Sequence, residues 1–345
     1  MPPRDQQRAA FLRAHNWARA SGSQLAGDAS GRLYWRLSKP TTKAQKQTAI
    51  LMDADPALND PQTTFIEISR YLNTAGLSAP IIFASNITHG FLLLEDFGDA
   101  LFSNVIAKAP EKETLLYTCA VDCLLELRQK QPASGRQQAT PQVLAAMIAP
   151  AFDWYGKNAN AELTAQDKIT SIAHLQKFLE RHAAECSVTI LRDFHADNLI
   201  WLPQRQGLQR VGLLDFQDAM IGHPAYDLVS LTRDARRDLT PGIADKITSR
   251  YLASSDLDPD DFSAASAVLS VQRNLRILGV FTQLAIEAGK LQYLELLPRV
   301  WQHLLQDLAH PALADYASLI TAKLPPPDPT IRTLMRATCP KPRQH

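Results

Sequence analysis

The sequence predicts an α+β fold in which a small β-rich N-terminal lobe is followed by a larger α-helical lobe. In the first hundred residues, short apolar runs with strand character alternate with turn residues and single helices. From Asp99 onward, apolar residues recur at helical spacing over much longer stretches, interrupted only by a compact β region at Val188–Leu214. We therefore expect lobes at residues 1–97 and 98–325, followed by a proline-rich tail at 326–345.

The N-terminal lobe combines an opening helix with a series of strand-like runs. The first twenty residues have the period of an amphipathic helix and no continuous apolar segment, so a helix is predicted rather than a signal peptide. Two runs, ending near Leu25 and resuming at Leu33–Leu37, flank the turn-rich sequence GDASG. TAILMD predicts another strand, and FIEISRYLNTAG predicts a helix that ends at a glycine. APIIFA and GFLLLEDFGD predict two adjacent strands.

The C-terminal lobe is predicted to be built from long helices around the β region. The candidate helices are residues 111–130, 141–155, 165–185, 241–253, 260–288 and 291–309. In the β region, VTIL, LIWL and VGLL predict three strands. The tail, which begins LPPPDPT, is expected to be an irregular surface segment because of its proline content.

The composition excludes several classes of protein. With 36 Lys and Arg against 35 Asp and Glu, the chain lacks the basic excess of a general nucleic-acid binder. No apolar run approaches the ~20 residues that a membrane-spanning helix needs. The four cysteines form no CxxC pair, and Cys119 and Cys123 lie four apart on a predicted helix, which favours core packing in a reducing compartment. We expect a cytoplasmic protein; its oligomeric state stays open.

Polar residues are concentrated at the strand ends of the β region. Asp193, Asn198 and Asp215 lie at successive strand ends, five and seventeen residues apart. A hairpin of that length can return Asp215 beside Asn198, so that an amide oxygen and a carboxylate meet. Such oxygen ligands suit Mg²⁺, which takes few protein groups and fills its shell with phosphate oxygens and water. Asp193, outside this pair, is placed to accept a proton from a hydroxyl, a division of roles typical of phosphoryl transfer.

The loop RDFHADN resembles the RDxxxxN catalytic loop of protein kinases, with Leu191 in the place of the usual histidine. It is also similar to the HGDxHxxN loop of aminoglycoside phosphotransferases and choline kinases. DFQDA resembles the metal-binding DFG segment, and GHPAYDL resembles the G-x-P-x-x-D-L block that follows it in the small-molecule kinases. LAGDAS, ILMDADP, GFLLLEDFGD and RDFHADNLIW resemble, in the same order, motifs of the bacterial anomeric N-acetylmuramate/N-acetylglucosamine kinases. The likeness spans roughly residues 20 to 310.

This resemblance implies a two-lobed protein-kinase-like fold, with ATP and Mg²⁺ as cofactors and the anomeric hydroxyl of an N-acetylated amino sugar as acceptor. It makes Asp193 the base or hydroxyl orienter, and Asn198 and Asp215 the metal ligands. The residues expected to support the loop are Arg192, His195, Asp197, Asp218 and Asp227. For Arg192 a solvent-facing position is an equal alternative, and Asp218 could instead face the substrate.

Nucleotide contacts are expected from the GDASG turn and from the segment EDF. Small residues let backbone N–H groups approach phosphate oxygens, and the segment EDF would read adenine through backbone groups. The residues expected to bind nucleotide are Gly27, Asp28, Ala29, Ser30, Glu95 and Phe97. An ordinary hairpin turn and a plain linker are the alternatives.

One departure concerns the lysine that most kinases carry on the third strand to hold the α- and β-phosphates. Met52 stands in its place. Either Lys46, Arg32 or Arg36 holds the phosphates, or nucleotide binding is weakened. Besides the amino-sugar kinase, two functions stay open: an aminoglycoside- or choline-like alcohol kinase, and a nucleotide-binding pseudokinase. Candidate acceptor residues, each with core packing or a solvated surface as the alternative, are Trp154, Tyr155, Tyr226, Arg233, Arg236 and Arg237.

Overall fold

The chain divides into two compact units, each assembled from separate stretches of sequence. The structure, a computed structural model, describes residues 3–25, 31–40, 46–59 and 62–339. The first unit comprises Met1–Lys112 and Ala196–Asp218, and the second comprises Glu113–His195 and Ala219–His345. The chain therefore passes from the second unit to the first within the RDFHADN loop, between Asp193 and Asn198.

The strands are short, and most of the helices belong to the second unit. The strands are β1 (Ser21–Gln24), β2 (Leu33–Pro40), β3 (Lys46–Asp53), β4 (Ile82–Asn86), β5 (Phe91–Leu94), β6 (Val188–Ile190), β7 (Leu199–Trp201), β8 (Val211–Leu213) and β9 (Met220–Gly222). The α-helices are α1 (Arg4–Ala14), α2 (Thr63–Thr74), α3 (Phe102–Lys108), α4 (Glu113–Arg128), α5 (Pro141–Ala146), α6 (Ala165–His182), α7 (Tyr226–Thr232), α8 (Ile243–Ala253), α9 (Pro259–Ala288), α10 (Leu297–Leu308), α11 (Ala314–Lys323) and α12 (Pro329–Thr338).

The first unit is organised around an antiparallel sheet of strand order β1-β2-β3-β5-β4. Because side chains alternate along a strand, Ala49 and Leu51 of β3 share one face, where they join Phe11 of α1 in a buried cluster. Ile50 and Met52 share the opposite face. The β7–β8 hairpin also belongs to this unit, and Gly212 of β8 is required there because a Cβ would lie 2.8 Å from the ring of Phe97.

The second unit is organised around α9, a helix of 30 residues whose apolar side chains are buried along most of its length. A helix that is apolar on all sides belongs in a core, and α9 packs against α6, α7 and α10. Asp258 caps its N-terminus by accepting the N–H groups of Asp260 and Asp261 at 2.9 and 3.0 Å. Strand β6 pairs with β9, and the RDFHADN segment follows β6 after Leu191.

Most of the predicted elements are present, with shifted boundaries. The predicted helix at 65–76 corresponds to α2, and the expected core position of Cys119 and Cys123 is confirmed, since both are buried within α4. The predicted helix at 141–155 was too long, because α5 ends at Ala146 and a π-helical turn occupies Ala151–Gly156. The break lies at Met147 and Ile148, and Pro150 contributes to it because it has no N–H to donate to the carbonyl of Ala146.

The expectation of an irregular tail was wrong for residues 329–338, which form α12. Asp328 accepts the backbone N–H of Ile331 at 2.8 Å, and Pro329 suits the first helical position because its missing N–H is not needed there. Met335 is fully buried, so the helix is anchored to the second unit by packing. Residues 340–345 lie outside the described part of the chain. Nowhere in the described part is a helix long and apolar enough to cross a membrane.

The packing of α12 predicts a difference between two neighbouring residues. Met335→Ala should lower the free energy of unfolding by about 2–5 kcal/mol, because it leaves a cavity where the fully buried side chain was packed. Leu334→Ala, at a side chain that is 37% exposed, should cost at most about 1 kcal/mol. Urea unfolding of both variants measures the difference, and equal small effects would mean that α12 does not pack as described.

Candidate active site

A cavity of about 260 Å³ in the first unit is the candidate nucleotide site. Its apolar wall comes from the sheet, where Ile50 of β3 and Leu94 of β5 are register partners, and from Ile200 of β7. Phe65 of α2 and Phe216 also line it, and their rings stack at 4.9 Å. An apolar slot with few polar groups is what a planar base requires.

The segment at residues 95–98 forms one edge of this cavity. The backbone N–H of Glu95 donates to the carbonyl of Ile81 at 2.8 Å. The carboxylate of Glu95 forms an ion pair with Arg205, whose guanidinium also lies 5.0 Å from the centre of the Phe97 ring. The Glu95 side chain is thus engaged within the protein, and both Glu95 and Phe97 border the cavity through which a nucleotide would enter.

Asn198 and Asp215 meet at another edge of the same cavity. The Asn198 amide lies 3.4 Å from one carboxylate oxygen of Asp215, and Gln217 donates to the other at 2.7 Å. Asp215 has a φ of 57°, a left-handed conformation that aspartate tolerates better than most residues. The hairpin between the two residues is closed by the N–H of Leu214, which donates to the Asn198 carbonyl at 3.0 Å.

This pair has the chemistry of a Mg²⁺ site that relies on phosphate. The carboxylate of Asp215 is exposed, and it and the Asn198 amide supply hard oxygen donors. Among the described residues, no group of three or more His, Cys, Asp or Glu could hold a metal ion. The donor set therefore fits Mg²⁺ held by one or two protein groups, and does not fit a metal bound by a full protein cage.

The structure shows which of the cations considered in place of the strand lysine lines the cavity. Met52 is fully buried and offers no charge to the cavity. Arg36, opposite Ile50 on β2, lines the cavity and forms ion pairs with Asp96 at 2.9 Å and Asp99 at 2.7 Å. The side chain of Lys46 and the whole predicted phosphate-covering turn, Gly27, Asp28, Ala29 and Ser30, lie outside the described residues.

In the second unit, the loop that follows β6 turns sharply at Arg192. Its φ is 70°, and the N–H of Asp193 donates back to the carbonyl of Leu191 at 2.9 Å. Such a turn at a residue with a Cβ costs about 1–3 kcal/mol and needs support from its surroundings. Asp227 of α7 accepts the N–H groups of Leu191 and Arg192 at 2.6 and 2.8 Å. Ser230, one turn further along α7, donates to the Arg192 carbonyl at 3.0 Å.

Positive charge surrounds the carboxylate of Asp193. Burial raises its pKa, but Arg276 and Arg273 of α9 outweigh burial and hold the pKa below the usual value, so the group is ionised at neutral pH. Burial, aided by the charge of Arg236, lowers the pKa of His195 to about 3. The neutral His195 ring lies with its Nε2 atom 3.1 Å from Arg236. Asp193 is therefore an ionised carboxylate of the loop.

Sequence reasoning did not include Arg273 and Arg276. They lie 80 and 83 residues after Asp193, and their signal was two arginines inside the otherwise apolar run AVLSVQRNLRILGVF. A buried cation in a core helix needs a function or a partner. Arg205, which forms an ion pair with Glu95, was not predicted either. Its contact with Glu95 depends on the fold, because the two residues are 110 positions apart in the sequence.

The other predicted residues occupy varied positions. Asp197 is half-buried in the short turn before β7, and Asp218 is exposed. Tyr155 is fully buried, with its hydroxyl donating to the Pro325 carbonyl at 2.6 Å, which makes it a core residue. Tyr226 is buried as well, whereas Trp154 is half-buried.

Comparison with known proteins shows the family to which the chain belongs. The model of a family described as the phosphotransferase enzyme family matches residues 21–264, more than two thirds of the chain. The chain belongs to this family. A relative, the N-acetylmuramate/N-acetylglucosamine kinase of Caulobacter vibrioides, is 33% identical over 90% of this chain and 94% of its own length. The prediction of a small-molecule kinase is thereby confirmed.

The fold of this phosphotransferase is also similar to the folds of solved structures. A choline/ethanolamine kinase family protein from Mesorhizobium loti superposes with a TM-score of 0.61, covering 92% of this chain and 98% of its own at 13% identity. The aminoglycoside phosphotransferase APH(2″)-Ib, with ADP bound, gives a TM-score of 0.56, covering 89% and 98% at 12% identity. These similarities confirm the predicted kinase-like α+β fold class.

The burial of His195 predicts a pH-dependent stability. The folded phosphotransferase keeps the ring neutral, whereas the unfolded chain takes up a proton below about pH 6.5. The stability gained with the neutral ring is therefore present above pH 6.5 and lost as the pH falls towards 3. The advantage of wild type over His195→Gln should shrink by about 1.4 kcal/mol between pH 7.5 and 5.5.

Urea unfolding of wild type and variant at the two pH values measures this change. His174→Gln, at an exposed position of α6, controls for the loss of an imidazole. A wild-type advantage that does not vary with pH would show that His195 titrates alike in both states.

Proposed function

We propose that this phosphotransferase transfers the γ-phosphoryl group of ATP, with Mg²⁺, to the anomeric hydroxyl of an N-acetylated amino sugar, N-acetylmuramate or N-acetylglucosamine. The observation that carries the proposal is Asp193, ionised and fixed in a braced turn, in a chain that shares nearly its whole length with a kinase named for these sugars. ATP and the free thiols favour the cytoplasm as the place of action.

In this proposal Asp193 orients the sugar hydroxyl and accepts its proton as the phosphoryl group is transferred. Its lowered pKa makes it a weak base, but in a loose transition state the position of the nucleophile matters more than its early deprotonation. Asn198 and Asp215 would hold Mg²⁺, which, when bound, neutralises the charge of the phosphates. His195, neutral and buried, would hold the shape of the loop, and Asp227 would fix its backbone.

The nucleotide would occupy the cavity of the first unit. The apolar positions Ile50, Leu94 and Ile200 are proposed to contact the base, with Glu95 and Phe97 along its edge. We assign the missing phosphate cation to Arg36, because it lines this cavity on the face of the sheet that Met52 shares. The proposed covering turn is Gly27, Asp28, Ala29 and Ser30.

The charges in the second unit bear on the class of acceptor. Aminoglycosides and choline are cations, and arginines beside Asp193 would repel them. Acetylation removes the charge of a sugar amine, so an N-acetylated sugar carries no such penalty. An aminoglycoside- or choline-like kinase is therefore the second candidate, and a pseudokinase is disfavoured by the ionised Asp193 and the paired Asn198 and Asp215.

Removal of the proposed base should abolish most of the turnover. Asp193→Asn should lower kcat by about 10²–10⁴, because an amide cannot accept the proton of the hydroxyl. ADP release with each of the two sugars measures the rate, and NMR of the product locates the phosphate on the anomeric carbon. Asp260→Asn, which removes an exposed carboxylate of the same unit, should retain the wild-type rate.

Two results would contradict the proposal. One is wild-type protein that yields no sugar 1-phosphate and behaves like Asp193→Asn. The other is preferential turnover of kanamycin, choline or glucosamine over the N-acetylated sugars in the same assay, which would favour the second candidate.

A further inference from the structure

Arg205, in the connection between β7 and β8, contacts three residues near the cavity of the first unit. Its guanidinium forms an ion pair with the Glu95 carboxylate, donates to the Ser78 hydroxyl at 2.7 Å and lies 5.0 Å from the centre of the Phe97 ring. Within the described residues, the lining of the cavity includes Glu95 and Phe97 but not Arg205. Arg205 therefore acts on the cavity from outside, through two of the residues that line it.

The hairpin and Ser78 fix the position of Arg205. The N–H of Arg205 donates to the Leu202 carbonyl at 3.0 Å. Ser78 is only 1% exposed, and its hydroxyl donates to the carbonyl of Gln209 at 2.8 Å. The carbonyl of Ser78 accepts the N–H of Leu213 at 2.7 Å. The guanidinium is thus attached to a frame of backbone hydrogen bonds, and the segment that borders the cavity is attached to the guanidinium.

Both oxygens of the Glu95 carboxylate are engaged. One pairs with Arg205, and the other accepts the N–H of Ile81 at 3.3 Å. The N–H of Glu95 donates in return to the Ile81 carbonyl at 2.8 Å. These contacts hold the carboxylate between Ile81 and Arg205, and they balance its charge.

Phe97 is confined by Arg205 and by Gly212. A cation is attracted to the face of an aromatic ring, and the Arg205 guanidinium lies within the range of that attraction. At position 212, a Cβ would lie 2.8 Å from the Phe97 ring, so the ring packs closely against the backbone of β8. The arginine that neutralises Glu95 thereby also contributes to the position of Phe97.

An unpaired carboxylate at position 95 would change the cavity. It would retain a shell of water, because burying a charge without a partner is costly. That water would stand at the edge of the apolar wall formed by Ile50, Leu94 and Ile200, where a planar base would have to displace it. The negative charge would also repel the phosphates of a nucleotide. The guanidinium of Arg205 prevents both effects.

We propose that Arg205 is a positioning residue for the nucleotide. It holds the Glu95 carboxylate away from the base and Phe97 against the hairpin, so that the base meets an apolar slot. This inference rests on the proposed function, in which the nucleotide occupies this cavity. It assigns to Arg205 a role in the affinity for the phosphate donor and none in the affinity for the acceptor.

The substitution Arg205→Met removes the charge and keeps much of the length of the side chain. The KM for ATP, and the Kd of ADP measured by calorimetry with Mg²⁺, should rise about 5- to 20-fold, because Glu95 is left unpaired. At saturating ATP, kcat and the KM for the sugar should change by less than about 2-fold, since the catalytic residues are untouched. Adding Glu95→Gln, which removes the unpaired charge, should return the Kd of ADP to within about 3-fold of wild type.

Two further variants serve as controls. Arg205→Lys keeps a positive charge without the fork of donors, and should therefore retain part of the affinity for ADP. Arg250→Met breaks an exposed ion pair with Asp122 in the second unit, and should match wild type. Urea unfolding without nucleotide shows that each variant is folded. If Arg205→Met does not fold, Arg205→Gln, which keeps a donor for Ser78, takes its place with and without Glu95→Gln.

A purely structural role of Arg205 predicts a different pattern. The double variant would then bind ADP no better than the single variant, which would overturn the inference. An unchanged Kd of ADP in the single variant, or a loss confined to kcat, would overturn it too. Wild type that binds ADP but yields no sugar phosphate would contradict the proposed acceptor, while the ADP constants still decide the inference. Wild type that binds no ADP would overturn the inference together with the proposed nucleotide site.

Discussion

The conformation of the RDFHADN loop depends on the carboxylate of Asp227. Arg192 holds a backbone conformation that L-residues avoid, and the two N–H groups that flank this strain both donate to Asp227. Asp227 is buried at the start of α7, so the loop is tied to an element of the core. Ser230 adds a third bond to the same turn. Asp193 is the next residue, and its position follows from this support.

In the second unit, burial shifts the pKa values of an acidic and a basic group in opposite directions, and both shifts favour the neutral form. It raises the pKa of Asp227 and lowers that of His195, which leaves the interior of the loop with little charge of its own. Asp193 stays ionised because Arg276 and Arg273 are near.

The sequence predicted the fold class and the residues of the loop because both leave local signals. Hydrophobic period identified the strands of the first unit, and spacing alone brought Asn198 to Asp215. The features that the sequence did not predict depend on contacts between distant residues, or were hidden by an unusual local composition. Arg276 acts on the pKa of Asp193 from α9, and its sequence signal, an arginine in an apolar run, does not say which loop it faces. The prolines near residue 326 suggested irregular structure, but one of them, Pro329, occupies the position where a helix tolerates it and begins α12.

Amide hydrogen exchange of the peptide segment 188–195 in Asp227→Asn tests the dependence of the loop on Asp227 most directly. An asparagine offers one acceptor oxygen where the carboxylate offers two, so one of the N–H groups of Leu191 and Arg192 must lose its partner. The loss of one such bond corresponds to exchange that is roughly tenfold faster or more in this segment. We expect that increase while α9 retains its protection. Unchanged exchange in the segment would contradict the account, because the strained turn would then persist without the carboxylate.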